Sequence, residues 1–149
     1  SDTAQVLLEW ALANSLRPGA DHVYLIATVE ESLFDSLNLQ VTLNSIMGEE
    51  QRIDKTSLIE ARLHKMAEWL FAHHISAQVL VLSKSYKDAL VQTTHDLRID
   101  LLLVGSHETT AIERAIRSSL GEYCVAHCKC PVLVVKPSFA RTHLPSSPQ

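Results

Sequence analysis

Apolar residues follow two alternating rhythms along this chain. Four compact runs, residues 22–29, 77–82, 101–104 and 132–135, are rich in Val, Ile and Leu. Turn-forming residues bound them, which is the pattern of buried strands. Longer stretches at helical spacing lie between. The first runs from Ser1 or Asp2, either of which could cap it, to about Leu16, with Val6, Leu7, Trp10 and Ala11 on one face. Arg17-Pro18-Gly19 ends it, because proline cannot continue the hydrogen-bond ladder and glycine suits the exit turn. The second covers about 49–73 and aligns Ile53, Leu58, Ile59, Leu63, Met66, Leu70 and Phe71 in an apolar stripe. The third, residues 86–96, turns Ala89, Leu90 and the following Leu97 inward. The fourth lies within 108–127 and carries Ser118-Ser119 in its middle.

Two segments break the rhythm. Within residues 30–48, Leu37-Asn38-Leu39-Gln40-Val41-Thr42-Leu43 alternates apolar and polar, which predicts a half-buried strand, whereas Leu33, Phe34 and Ile46 fit a lid-like loop or short helix equally. Residues 138–149 hold three serines, two prolines and little apolar surface, which predicts a mobile tail. Strands alternating with helices imply right-handed βαβ crossovers. The predicted fold is therefore α/β, an open doubly wound parallel sheet with helices on both faces. It forms one domain over residues 1–137, with 138–149 as the tail.

Composition narrows the function classes. A net charge of −4 supplies no field that would draw the chain to nucleic acid or acidic lipid. No apolar run approaches the roughly 18 residues that span a bilayer, and Ser1-Asp2-Thr3 has no signal-peptide pattern. The three cysteines lie between Cys124 and Cys130, too few and too close for a disulfide framework. A reducing, cytoplasmic setting is expected.

The stretch that carries candidate chemistry is Asp100-Leu101-Leu102-Leu103-Val104-Gly105-Ser106-His107. A helix and a second strand follow it, the unit from which nucleotide-binding α/β domains are built. Together with Ser119, Glu122-Tyr123-Cys124, Cys130-Pro131 and the strand up to Lys136-Pro137, it resembles the universal stress protein family, in particular its plant-like, eukaryotic members. Leu8-Glu9-Trp10-Ala11-Leu12 is similar to that family's first helix. The resemblance implies a five-stranded parallel sheet of order 3-2-1-4-5 and a stress-response role. It also implies that Ser1-Asp2 falls just after the family's first strand. That central strand, with the aspartate at its end, is then missing from the sequence: either a native N-terminal piece precedes Ser1, or residues 37–43 or a partner segment fill its place.

ATP-binding members carry the pattern G-x2-G-x9-G-[ST], in which glycines admit the phosphates and a helix N-terminus attracts their charge. The resemblance places Gly105, Glu108, Ser118 and Ser119 at those positions, so two of three glycines are replaced. A carboxylate ~5 Å from a phosphate charge repels it by about 3 kcal/mol at an effective dielectric of ~20. A further family glycine, in the loop after the third strand, corresponds to Lys84. The candidate nucleotide residues are therefore Gly105, Ser106, His107, Ser118 and Ser119, in a site expected not to bind ATP in the family manner. No cofactor is expected on that reading, whereas its alternative is a nucleotide-dependent switch or slow ATPase that binds ATP and Mg²⁺.

Other groups carry less. Cys124, His127 and Cys128 share a helical face and, with Cys130, could hold zinc or a redox-sensitive thiol pair. The resemblance accounts for Cys124 and Cys130 without a metal, and none is expected. His73-His74 suits a helix end. No nucleophile elbow surrounds Ser118 or Ser119, and no catalytic residue or enzyme activity is expected. The strand running to Lys136 from Val132 lies last in the sheet, where an edge invites a second chain. A homodimer through residues 132–136 is expected, with a protein partner and no nucleic-acid or membrane contact.

Overall fold

The computed structural model describes residues 3–29, 55–83, 86–106 and 120–145. In chain order the elements are α1 (Thr3–Asn14), β1 (His22–Val29), α2 (Lys55–Ala72), β2 (Ser76–Ser83), α3 (Tyr86–Asp96), β3 (Leu102–Gly105), α4 (Leu120–His127), β4 (Val132–Val135) and α5 (Pro137–Thr142). The predicted strand at residues 37–43 lies outside the described residues. Strands alternate with helices and both sheets are parallel, so the α/β class stands. Each described sheet has two strands, β1-β2 and β3-β4. The chain gathers into two compact units, Pro18–Tyr86 and Ser1–Arg17 with Lys87–Gln149.

The unit Pro18–Tyr86 is a βαβ crossover. β1 and β2 pair in register from His22 with Ser76 to Val29 with Ser83, and α2 packs on both. Leu25, Leu63, Leu70 and Ile75 are its buried apolar side chains, with Leu70 and Ile75 fully enclosed. Leu63 and Leu70 stand seven residues apart, two helical turns on one face. Leu58 and Phe71, expected on that stripe, are instead exposed, Phe71 at 78%. One residue beyond Leu70 turns a side chain about 100° away from the sheet.

α2 ends in a Schellman motif. The amide of Ile75 bonds the Leu70 carbonyl at 3.0 Å, and that of His74 bonds Phe71 at 3.0 Å. His74 takes the left-handed conformation, φ 63°, where glycine is unstrained. His74→Gly should therefore stabilise the protein by about 1 kcal/mol, read as a raised urea midpoint at unchanged slope.

The second unit holds α1, most of α3, β3, α4, β4 and α5. Val6, Val135 and Ala140 form its core cluster, with Leu7, Trp10, Leu103, Leu133 and Leu144 packed around them. Residues 138–145 depart from the expected tail. Pro137 opens α5 at a position where a missing N–H costs nothing, Ala140 is fully buried, and α5 lies against α1. The apolar content of Phe139, Ala140 and Leu144 was enough for a single turn and a half once α1 supplied a surface. Leu97, expected inward, lies past the end of α3 and is 36% exposed.

Three helices finish alike. His73, His127 and His143 each sit one turn after an aromatic residue (Trp69, Tyr123 and Phe139) and rest against its ring, at centroid distances of 4.3, 4.1 and 3.9 Å. Each Nδ1 also lies 2.8–2.9 Å from that residue's carbonyl oxygen. A ring N–H donated there satisfies one of the carbonyls a helix end leaves open.

Candidate nucleotide site

β3 spans residues 102–105, one residue later than the sequence predicts, so Gly105 is the strand's last residue rather than a turn beyond it. It stands opposite Val135 in the parallel register. The Ser106 amide donates to the Val135 carbonyl at 2.9 Å. This N–H is engaged in the β3-β4 ladder. Beside Gly105 lies Leu7 of α1. A β-carbon at position 105 would collide with the Leu7 Cδ1 methyl, with Cγ at 3.6 Å. The space beside this glycine is occupied by the Leu7 side chain, whose end would have to shift to admit a larger residue. His107, Ser118 and Ser119 lie outside the described residues, as do Glu108 and Lys84.

Downstream, α4 meets α3 through Tyr123. The Tyr123 hydroxyl donates to the Asp88 carboxylate, and Lys87 Nζ stands 5.7 Å from the Tyr123 ring centre. The hydrogen bond to Asp88 favours the neutral phenol and raises the Tyr123 pKa. Asp88 and Tyr123 are 35 residues apart, and nothing in the sequence marks them as partners.

Cys124, Cys128 and Cys130 are all free thiols. Cys124 is fully enclosed, and burial, together with Cys128, pushes it up to about 11. Cys130 is half-buried and is also raised, first by burial and then by Cys128. The Thr94 hydroxyl oxygen lies 3.7 Å from Cys128 Sγ and within reach of Cys130. Among the described residues no group of three or more His, Cys, Asp or Glu is arranged to hold a metal. A cleft of about 440 Å³ beside Cys130 is lined by Thr94, His95, Arg98, Ile99 and Lys129 as well. It lies where α3 ends, away from the Gly105 end of β3 at which open α/β sheets bind ligands. Among the described residues no helix is long and apolar enough to cross a membrane.

Strands joined through helices, with a glycine closing β3, define an α/β protein with parallel strands. Comparison with known proteins makes this specific. The universal stress protein family profile matches residues 1–136, and the chain belongs to that family. A universal stress protein A-like protein of Arabidopsis thaliana is 32% identical over 62 residues, 42% of this chain and 34% of that protein. The matched stretch thus spans about a third of that relative's length. Among solved structures, a hypothetical protein whose biochemical function was assigned from its structure is similar at TM-score 0.64 and 20% identity, over 91% of this chain and 89% of its own. A universal stress protein family protein from Arabidopsis thaliana, solved with AMP bound, is similar at TM-score 0.51 and 18% identity, over 89% of this chain and 76% of its own. At these identities the structural likeness concerns the fold.

Proposed function

We propose that this universal stress protein domain is not an enzyme and works in the cytoplasm through dimerisation and partner contacts, with a nucleotide site that no longer accepts ATP in the family manner. The observation that carries this reading is Leu7 packed against Gly105. Phosphate-binding glycines leave bare backbone for the ligand, and here a side chain of the same protein takes that space. The Ser106 amide, committed to Val135, points the same way. So does the sequence, with Glu108, Ser118 and Lys84 standing where the family pattern has glycines.

Dimerisation is assigned to β4. Pro131 and Val135 turn their carbonyls to β3, accepting from Leu102 at 3.0 Å and Ser106 at 2.9 Å. Alternation along the strand then turns the peptide groups of Val132 and Val134 outward, toward a second chain. Free thiols at all three cysteines accord with a reducing compartment.

A thermal melt tests the nucleotide half of the proposal. A 10 μM site would gain about 2.7 kcal/mol at 1 mM ligand, roughly 5–10 °C for a chain of this size. Millimolar Mg-ATP is expected to leave the melting temperature unchanged. A rise of several degrees would instead support the nucleotide-dependent switch.

A further inference from the structure

We infer that Cys130 and Cys128 form an exchange-active thiol pair whose co-reactant is an anionic low-molecular-weight disulfide, seated in the cleft by Arg98 and Lys129. Cys130 lines that cleft and is half-buried, so a small molecule reaches it without the chain opening. Cys128 is close enough to act on the Cys130 thiol, and the two thiols share the Thr94 hydroxyl. Cys124, fully enclosed, takes no part.

The cleft selects the charge of the reagent. Among the described residues that line it, His95, Arg98 and Lys129 are basic and none is acidic. His95 Nδ1 is 3.6 Å from Asp96, whereas Arg98 and Lys129 make no ion pair among the described residues. Matching of the helix dipole explains a cation near the end of α3. It does not explain one at the left-handed position itself. Arg98 has φ 52° in a second Schellman motif, its amide bonded to the His95 carbonyl and that of Ile99 to Thr94. Glycine there would relieve strain and remove the guanidinium that a carboxylate would meet. His74 occupies the same motif at the end of α2 and lines no part of this cleft, which makes it a matched control.

The chemistry is two thiol–disulfide exchanges. The Cys130 thiolate attacks one sulfur of RS–SR, forming the mixed disulfide Cys130–S–S–R and releasing RS⁻, which takes up a proton. The Cys128 thiolate then attacks the Cys130 sulfur, forming the Cys128–Cys130 bond and releasing the second RS⁻. Two protein thiols are oxidised and one small disulfide is reduced to two thiols. Burial pushes the Cys130 thiol up, so little thiolate is present at neutral pH. The rate should climb about tenfold per pH unit above neutrality until Cys130 ionises.

The test treats the full chain with glutathione disulfide or with neutral bis(2-hydroxyethyl) disulfide, then counts free thiols after an acid quench. Three thiols should fall to one. Trypsin cutting after Lys129 separates Cys128 from Cys130, so the bond appears as a peptide pair that reduction dissolves. Cys124→Ala should retain the pair, and Cys128→Ser should stop at the mixed disulfide. Arg98→Gly should slow the anionic disulfide roughly three- to fivefold, as an exposed charge pair allows, and leave the neutral one unchanged. His74→Gly should alter neither rate. Three free thiols after treatment, a bond through Cys124, or equal slowing of both reagents by Arg98→Gly would each overturn the inference.

Discussion

Leu70→Ala is expected to lower the free energy of unfolding by about 3–4 kcal/mol, while Phe71→Ala beside it costs less than about 0.5 kcal/mol. Leu70 is fully enclosed and Phe71 is 78% exposed, although the two are adjacent apolar residues of one helix. Truncating Leu70 removes its transfer free energy and leaves a cavity between α2 and the β1-β2 sheet that a close-packed interior fills poorly. The same residue anchors the chain reversal into β2, since its carbonyl accepts from both His73 and Ile75. Alanine favours the helix by a few tenths of a kcal/mol, too little to offset the cavity. Urea unfolding at unchanged slope reads both variants. Equal losses, or the larger loss at Phe71, would contradict the packing of α2.

The second large effect concerns assembly. Val134→Pro is expected to convert a dimer of twice 16.6 kDa to the 16.6 kDa chain in light scattering at micromolar concentration. Proline removes the outward N–H of Val134 and keeps the β3-β4 ladder, whose bonds come from the neighbouring peptides. Val134 also packs against Gly121, 3.2 Å from where a β-carbon would stand, so the variant loses some contact with α4. Val134→Lys leaves every backbone group in place and sets a charge at a side chain 41% exposed. It should weaken the same interface. A wild-type chain that scatters as a monomer, or a Val134→Pro variant that stays dimeric, would contradict an edge-strand dimer.

Much of the fold was legible because strands and helices were written in different periods. Runs such as His22–Val29 and Val132–Val135 contain apolar residues with no helical gap, and each became the strand expected. α5 was hidden because its turn and a half has no periodicity of its own; it is held by α1, more than 120 residues earlier. Which face of α2 would be buried was misread at Leu58 and Phe71, where an apolar stripe wider than the sheet left its margins exposed.

The site divides in the same way. It was the resemblance to the family pattern that set Glu108 and Ser118 at positions where that pattern has glycines. The Leu7 side chain beside Gly105 could not be read in advance, because Leu7 lies 98 positions away and any apolar residue in α1 reads alike in sequence. Thr94 beside Cys128 and Asp88 beside Tyr123 were missed for that reason too. Contacts between distant segments leave no local pattern. The histidine caps, by contrast, follow a spacing of four from an aromatic residue and are visible once the three helix ends are compared.

The central claim is that this scaffold of a nucleotide site no longer binds the nucleotide. Calorimetric titration of Mg-ATP into the full chain measures it directly. The account predicts no saturable heat up to millimolar ligand. Saturable binding at micromolar concentration, one site per chain, would contradict it.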